Sequence, residues 1–113
     1  MSKKSTIRLR LWIDKNDEPF IGPGRVKLLE NILAFGSISR AAKEVNMSYR
    51  KAWQLIEDMN KVSKKALVEK KTGGLTGGGA TVTDEGMEII RQYRLLQGEV
   101  DKVMSKMAKK MVF

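Results

Sequence analysis

The run Ser48-Tyr49-Arg50-Lys51-Ala52-Trp53-Gln54 concentrates the polar chemistry of this chain. On a helix, Arg50 and Gln54 lie about one turn apart and face the same way. Arg50 can fork onto the acceptors of a guanine edge, and Gln54 can pair with an adenine edge. Ser48 and Tyr49 can donate hydrogen bonds to phosphate, while Arg50 and Lys51 supply charge. That chemistry is recognition of a nucleic acid, and its bland rival is a solvated polar helix face. Trp53 keeps two readings: an aromatic packed between the helix and a neighbouring hairpin, or a partly exposed groove contact.

What the chain lacks narrows the choice. It has no cysteine and no histidine, which excludes thiol nucleophiles, Cys-type zinc sites and the commonest general base. Carboxylates stand in adjacent pairs at Asp17 and Glu18, Glu57 and Asp58, and Asp84 and Glu85. Neighbours on a helix point apart, so such pairs do not make a two-carboxylate site. No enzyme activity, metal or cofactor is therefore expected. The methionines, mostly in the last helical stretch, read as an adaptable packing seam. Lys and Arg outnumber Asp and Glu by 22 to 13, a net charge of +9, which suits a polyanionic partner. The longest wholly apolar runs, such as Ile32 to Phe35, are far short of the roughly 20 residues of a bilayer span. The chain opens without a signal-peptide pattern, so the expectation is a cytoplasmic protein with no membrane partner.

The 113 residues are expected to form one α+β, mainly α, domain with an appended helix. Ile7, Leu9, Leu11 and Ile13 alternate with Arg8, Arg10 and Trp12, predicting a half-buried strand. Asp14 to Glu18 is a polar turn, and Pro19-Phe20-Ile21 returns as the second strand of a hairpin over 6–22. After Gly22-Pro23-Gly24, apolar residues from Val26 to Phe35 recur at helical spacing until Gly36. Ser37 is the predicted N-cap of a short helix over 39–45, which Asn46 interrupts. Ser48 caps the next helix, over 48–62. Small Ala41 and Ala42 let these two helices cross closely, as in a helix-turn-helix. The later helix is the one that would enter the major groove, N-terminal residues first. Ser37 joins its residues among the DNA-binding candidates.

Ala66-Leu67-Val68 and Ala80-Thr81-Val82 read as paired strands of a wing over 66–83. Five of the ten glycines fall in the connecting segment, so its tip is exposed or closely approached by something large. Lys70, Lys71 and Thr72 are candidates for backbone or minor-groove contacts, against the reading of a solvated hairpin tip. A nucleotide-binding loop is unlike this segment, since Gly79 rather than lysine follows Gly78. From Thr83 the pattern is helical to the end. Ile89, Tyr93, Leu96, Val100, Val103 and Met107 form a heptad seam on a helix roughly 42 Å long. So long a helix wants a partner. The expected division is a DNA-binding domain over 1–83 and a dimerisation helix over 84–113.

Gly36-Ser37-Ile38-Ser39-Arg40-Ala41-Ala42-Lys43-Glu44-Val45 resembles the opening of a LysR-type winged helix-turn-helix. Met47-Ser48-Tyr49-Arg50-Lys51-Ala52-Trp53, Met59-Asn60, Leu67-Val68-Glu69 and Thr72-Gly73-Gly74 through Gly77-Gly78-Gly79-Ala80 are similar to the DNA-binding domain of ModE-type molybdate-responsive regulators. The similarity covers roughly residues 20–95. It implies a homodimeric regulator of transcription on double-stranded DNA, with helix 48–54 in the major groove, hairpin 69–79 as wing and the terminal helix as dimer contact. Regulators of this type continue into oxyanion-binding domains, for which 113 residues leave no room. The expectation is a ModE-like regulator without those domains, its signal coming from a separate sensor protein or from its own level. Two rivals remain at this stage: a protein-interaction module that dimerises through the last helix, and an architectural nucleoid-type DNA binder.

Overall fold

The computed structural model of the chain describes residues 5–71 and 79–111. In chain order its elements are β1 (Ile13–Lys15), β2 (Glu18–Ile21), α1 (Pro23–Phe35), α2 (Ile38–Glu44), α3 (Tyr49–Ser63), β3 (Val68–Lys70), β4 (Ala80–Val82) and α4 (Asp84–Lys110). β1 pairs with β2, and β3 with β4, both antiparallel. The winged helix-turn-helix architecture and the long last helix stand as the sequence predicts.

The amino-terminal hairpin is shorter than expected. Asn16 and Asp17 both have positive φ, 54° and 62°, in a two-residue turn that closes Lys15 onto Glu18. Register then runs out quickly, because β2 ends where Gly22 and Pro23 start α1. Residues 7–12 consequently have no strand to pair with, and the predicted strand over Ile7 to Ile13 survives only from Ile13. The chain before β1 runs beside α4 instead. Ser5, Thr6 and Ile7 flank Asp101, Met104, Ser105 and Ala108, and the Tyr93 hydroxyl donates to the Leu11 carbonyl at 2.9 Å. Leu9, on the supposed buried face, is exposed.

Caps define the helices. Pro23 occupies the first turn of α1, and Gly36 ends it with φ 67°, its N–H donating to Ile32. Ser37, Ser48 and Thr83 each accept a backbone N–H three residues on, capping α2, α3 and α4. Asn46, at φ 53°, turns the chain between α2 and α3. Ala41, Ala42 and Ala52 are fully buried in that crossing, with Leu29 and Ile32 of α1 and Ile56 and Met59 of α3 in the same core. The buried Asn31 donates to the Ala41 carbonyl at 3.2 Å, satisfying an acceptor near the end of a very short helix.

The wing is fastened at its base. Ala80 donates to Gly36 at 3.1 Å and Thr83 to Leu67 at 3.0 Å, while the Thr83 hydroxyl donates to Ala66 at 2.6 Å. Gly86 packs so tightly here that a Cβ would sit 2.3 Å from the Leu67 carbonyl oxygen. Only glycine lets α4 approach the strands this closely.

α4 is tied to α1 by a forked ion pair. Arg94 donates to both Glu30 oxygens, at 2.9 and 2.5 Å, and to Gln97. The Arg94 hydrogen bonds hold the Glu30 carboxyl below its usual value of 4.5, against the opposing effect of burial. A depressed carboxylate stabilises the fold above its unfolded pKa, and that contribution disappears as pH falls through its folded pKa. Both side chains are partly exposed, so solvent screening limits the effect. Glu30→Gln is expected to lower stability by about 0.5–1 kcal/mol at neutral pH and to converge on the parent only as pH falls through the depressed pKa of Glu30. Urea unfolding at pH 7 and at low pH checks this; a loss independent of pH would assign the cost to packing.

Candidate nucleic-acid interface

Ser48 starts the site. Its oxygen accepts from Lys51 N–H at 3.1 Å, which leaves the hydroxyl hydrogen free to donate outward. The α3 backbone then projects Tyr49, Arg50, Trp53 and Gln54 into one shallow, open cleft, with Ser48 and Lys51 exposed beside it. The opposite face of the same helix buries Ala52, Ile56 and Met59. This amphipathic division is what aims the polar run outward. Arg50 and Lys51 form no side-chain hydrogen bond or ion pair with any described residue. Their cations are therefore available to a ligand.

Gln54 is not idle. Its amide donates to Asp58 one turn on, at 2.9 Å. Pairing with an adenine edge requires that bond to be exchanged. Ser37 lies at the start of α2, its oxygen taken by Arg40 N–H at 3.2 Å, and is not part of the cleft.

Trp53 packs between α3 and the wing and keeps part of its ring open to solvent. It is 40% exposed, and the Lys70 ammonium sits 3.6 Å from its ring centroid. Lys70 also pairs with Glu57, so this wing cation turns back onto α3 rather than outward as a free phosphate contact. Lys71 remains exposed, its backbone N–H bonded to Gly79 at 2.7 Å. Thr72 and the rest of the 72–78 tip lie outside the described residues.

Three polar residues escaped the sequence reading as positioning groups. Asn60 of α3 accepts from Leu67 N–H at 2.8 Å and donates to the Val68 carbonyl at 3.1 Å, holding β3 to the helix. Glu57 seats Lys70, and Asn31 holds α2 to α1. A polar residue interrupting the buried stripe was the available signal for Asn31. Asn60 stands in the Met59-Asn60 pair of the family resemblance, which assigned it no role, and Glu57 carried no signal, because the partners of both are set by how β3 folds back.

The predicted seam of α4 divides. Tyr93 is fully buried within this chain, and Ile89 packs on the same core, so Tyr93 is not a surface residue awaiting a partner. Val100 is half-buried, whereas Leu96, Val103 and Met107 are 42%, 61% and 40% exposed. Ile89 and Tyr93 are thus committed to the domain, and the open part of the seam begins at Leu96. Among the described residues no group of three or more His, Cys, Asp or Glu is placed to hold a metal, and no helix is long and apolar enough to cross a membrane.

These features recur in known proteins. The bacterial regulatory helix-turn-helix proteins of the lysR family match residues 24–87. The DNA-binding transcriptional dual regulator ModE of Escherichia coli is 47% identical over 77 residues, 68% of this chain and 29% of that protein. The molybdenum-pterin-binding protein MopA of Rhodobacter capsulatus is 38% identical over 94 residues, 83% of this chain and 36% of that protein. The chain spans about a third of the length of these relatives. In fold it resembles ArgP from Mycobacterium tuberculosis, with a TM-score of 0.52 at 20% identity over 74% of this chain and 30% of that one. A capped helix with a polar outer face, a wing fastened to it and this match over the same residues lead to one assignment: the chain belongs to the lysR family of bacterial regulatory helix-turn-helix proteins, with a domain of the ModE type.

Proposed function

We propose that this protein binds duplex DNA as a homodimer and regulates transcription by occupying an operator, with no enzymatic role. The observation that carries this reading is the outward face of α3, where Tyr49, Arg50, Trp53 and Gln54 share one cleft and the Arg50 and Lys51 cations have no described partner. α3 enters the major groove with its amino-terminal turn at the bases, and Lys71 meets a flanking phosphate. The open α4 face at Leu96, Val103 and Met107 supports pairing with a second copy, because long apolar side chains on a projecting helix gain by leaving water together.

Salt dependence tests the electrostatic part. Each phosphate neutralised contributes a slope of about −0.9 in log affinity against log salt. Lys71→Ala is expected to weaken binding to all duplexes alike and to flatten that slope by about one unit. Fluorescence anisotropy with labelled duplexes from low to physiological salt reads both quantities. A slope near zero in the parent protein would exclude a phosphate-bound duplex altogether.

A further inference from the structure

We propose that Trp53 and Glu57 form a seat on α3 for the Lys70 ammonium, making Lys70 a positioning residue that sets the wing against the reading helix. The inference rests on the DNA-binding reading and concerns how its two contact elements are held in register.

Trp53, Glu57 and Asn60 recur at spacings of four and three, one face of α3. All of them act on β3. Asn60 bonds the backbone at Leu67 and Val68, at the base of the strand. Trp53 and Glu57 take Lys70, at its far end. Val68 and Lys70 lie on the same side of the strand, with Glu69 turned outward and exposed. The strand is therefore laced to the helix at both ends. Without the second attachment, β3 would be held to α3 only at its base.

Lys70 is well placed for this task and poorly placed for phosphate. Its side chain is only 23% exposed. An ammonium over an indole face gains from the ring quadrupole, and a carboxylate beside it adds Coulomb attraction. A phosphate would have to displace Glu57, whose own charge repels it. Trp53 is shared between the seat and the cleft with Tyr49, Arg50 and Gln54, so the wing's position is coupled to the reading surface itself.

Positioning and phosphate binding leave different traces. The test compares affinity for a duplex selected by the parent protein with affinity for a scrambled duplex, across a salt series. A lost positioning contact lowers the ratio of the two affinities. A lost phosphate contact lowers both equally and flattens the salt slope by about one unit. Lys70→Met is expected to reduce the ratio about threefold to tenfold, in the range of one cation–π and ion-pair seat, with the slope unchanged. Lys70→Arg, which can both stack and pair, restores the ratio. Glu57→Gln lowers it as well, and the double variant loses no more than Lys70→Met alone, since both remove one interaction. An unchanged ratio with a flattened slope in Lys70→Met would overturn the proposal. So would a Glu57→Gln protein that binds both duplexes more tightly to the same degree. Failure of the parent to bind any duplex would sink the DNA reading, and the seat is then decided on the free protein. In a Trp12→Phe background, Lys70→Met shifts the Trp53 emission if the seat exists, and an identical spectrum refutes it.

Discussion

Arg50→Ala should weaken binding to a selected duplex by about 1–3 kcal/mol, the usual discrimination carried by a bidentate guanine contact. The fold has little stake in this side chain. It is exposed, it has no hydrogen bond or ion pair with the described residues, and the α3 cap depends on Ser48 and Lys51 N–H instead. Stability should therefore stay within about 0.5 kcal/mol of the parent, as for other featureless surface sites. Specificity should relax at one base position, while affinity for scrambled duplexes falls only by the loss of one nearby charge. Titration of selected and scrambled duplexes at matched salt separates these effects. Equal affinities for parent and variant would remove Arg50 from the reading surface.

Placing aspartate at both Leu96 and Val100 should convert the proposed dimer to monomer, raising the dissociation constant more than about a hundredfold. A two-fold interface would bury each substitution twice and bring like charges together without partners. Within one protomer the change is mild, because Leu96 is 42% exposed and Val100 only half-buried. Helix content by circular dichroism should remain close to the parent. Sedimentation equilibrium checks the outcome. An intact dimer would move the interface elsewhere, with the exposed segment around Leu9 and Trp12 the next surface to substitute.

The legible parts of the fold were those written in local chemistry. Ser37, Ser48 and Thr83 cap the helices they precede, Gly36 takes the left-handed end of α1, and the alanines at 41, 42 and 52 mark a close crossing. The cleft residues of α3 were legible for the same reason, since burying Ala52, Ile56 and Met59 leaves Arg50 and Gln54 facing out. Period-two alternation misled at Ile7 to Ile13, because it shows that a segment can be a strand but not that a partner strand exists. The Lys70 contact with α3 was not legible for a related reason. Its direction depends on β3 folding back onto α3, and no spacing in the sequence encodes a contact between residues 57 and 70. Tyr93 fits a heptad seam by position, yet the hydrogen bond that fixes it reaches Leu11, at the other end of the chain.

Sequencing the duplexes that the purified protein retains from a random pool would weigh the whole account in one measurement. Two copies paired through α4 should present two α3 helices to successive major grooves. The retained sequences should then converge on a two-fold repeat with half-sites about 10 bp apart, or a multiple of that spacing. A pool that stays random after repeated selection, at salt low enough to permit binding, would contradict sequence-specific recognition by this protein.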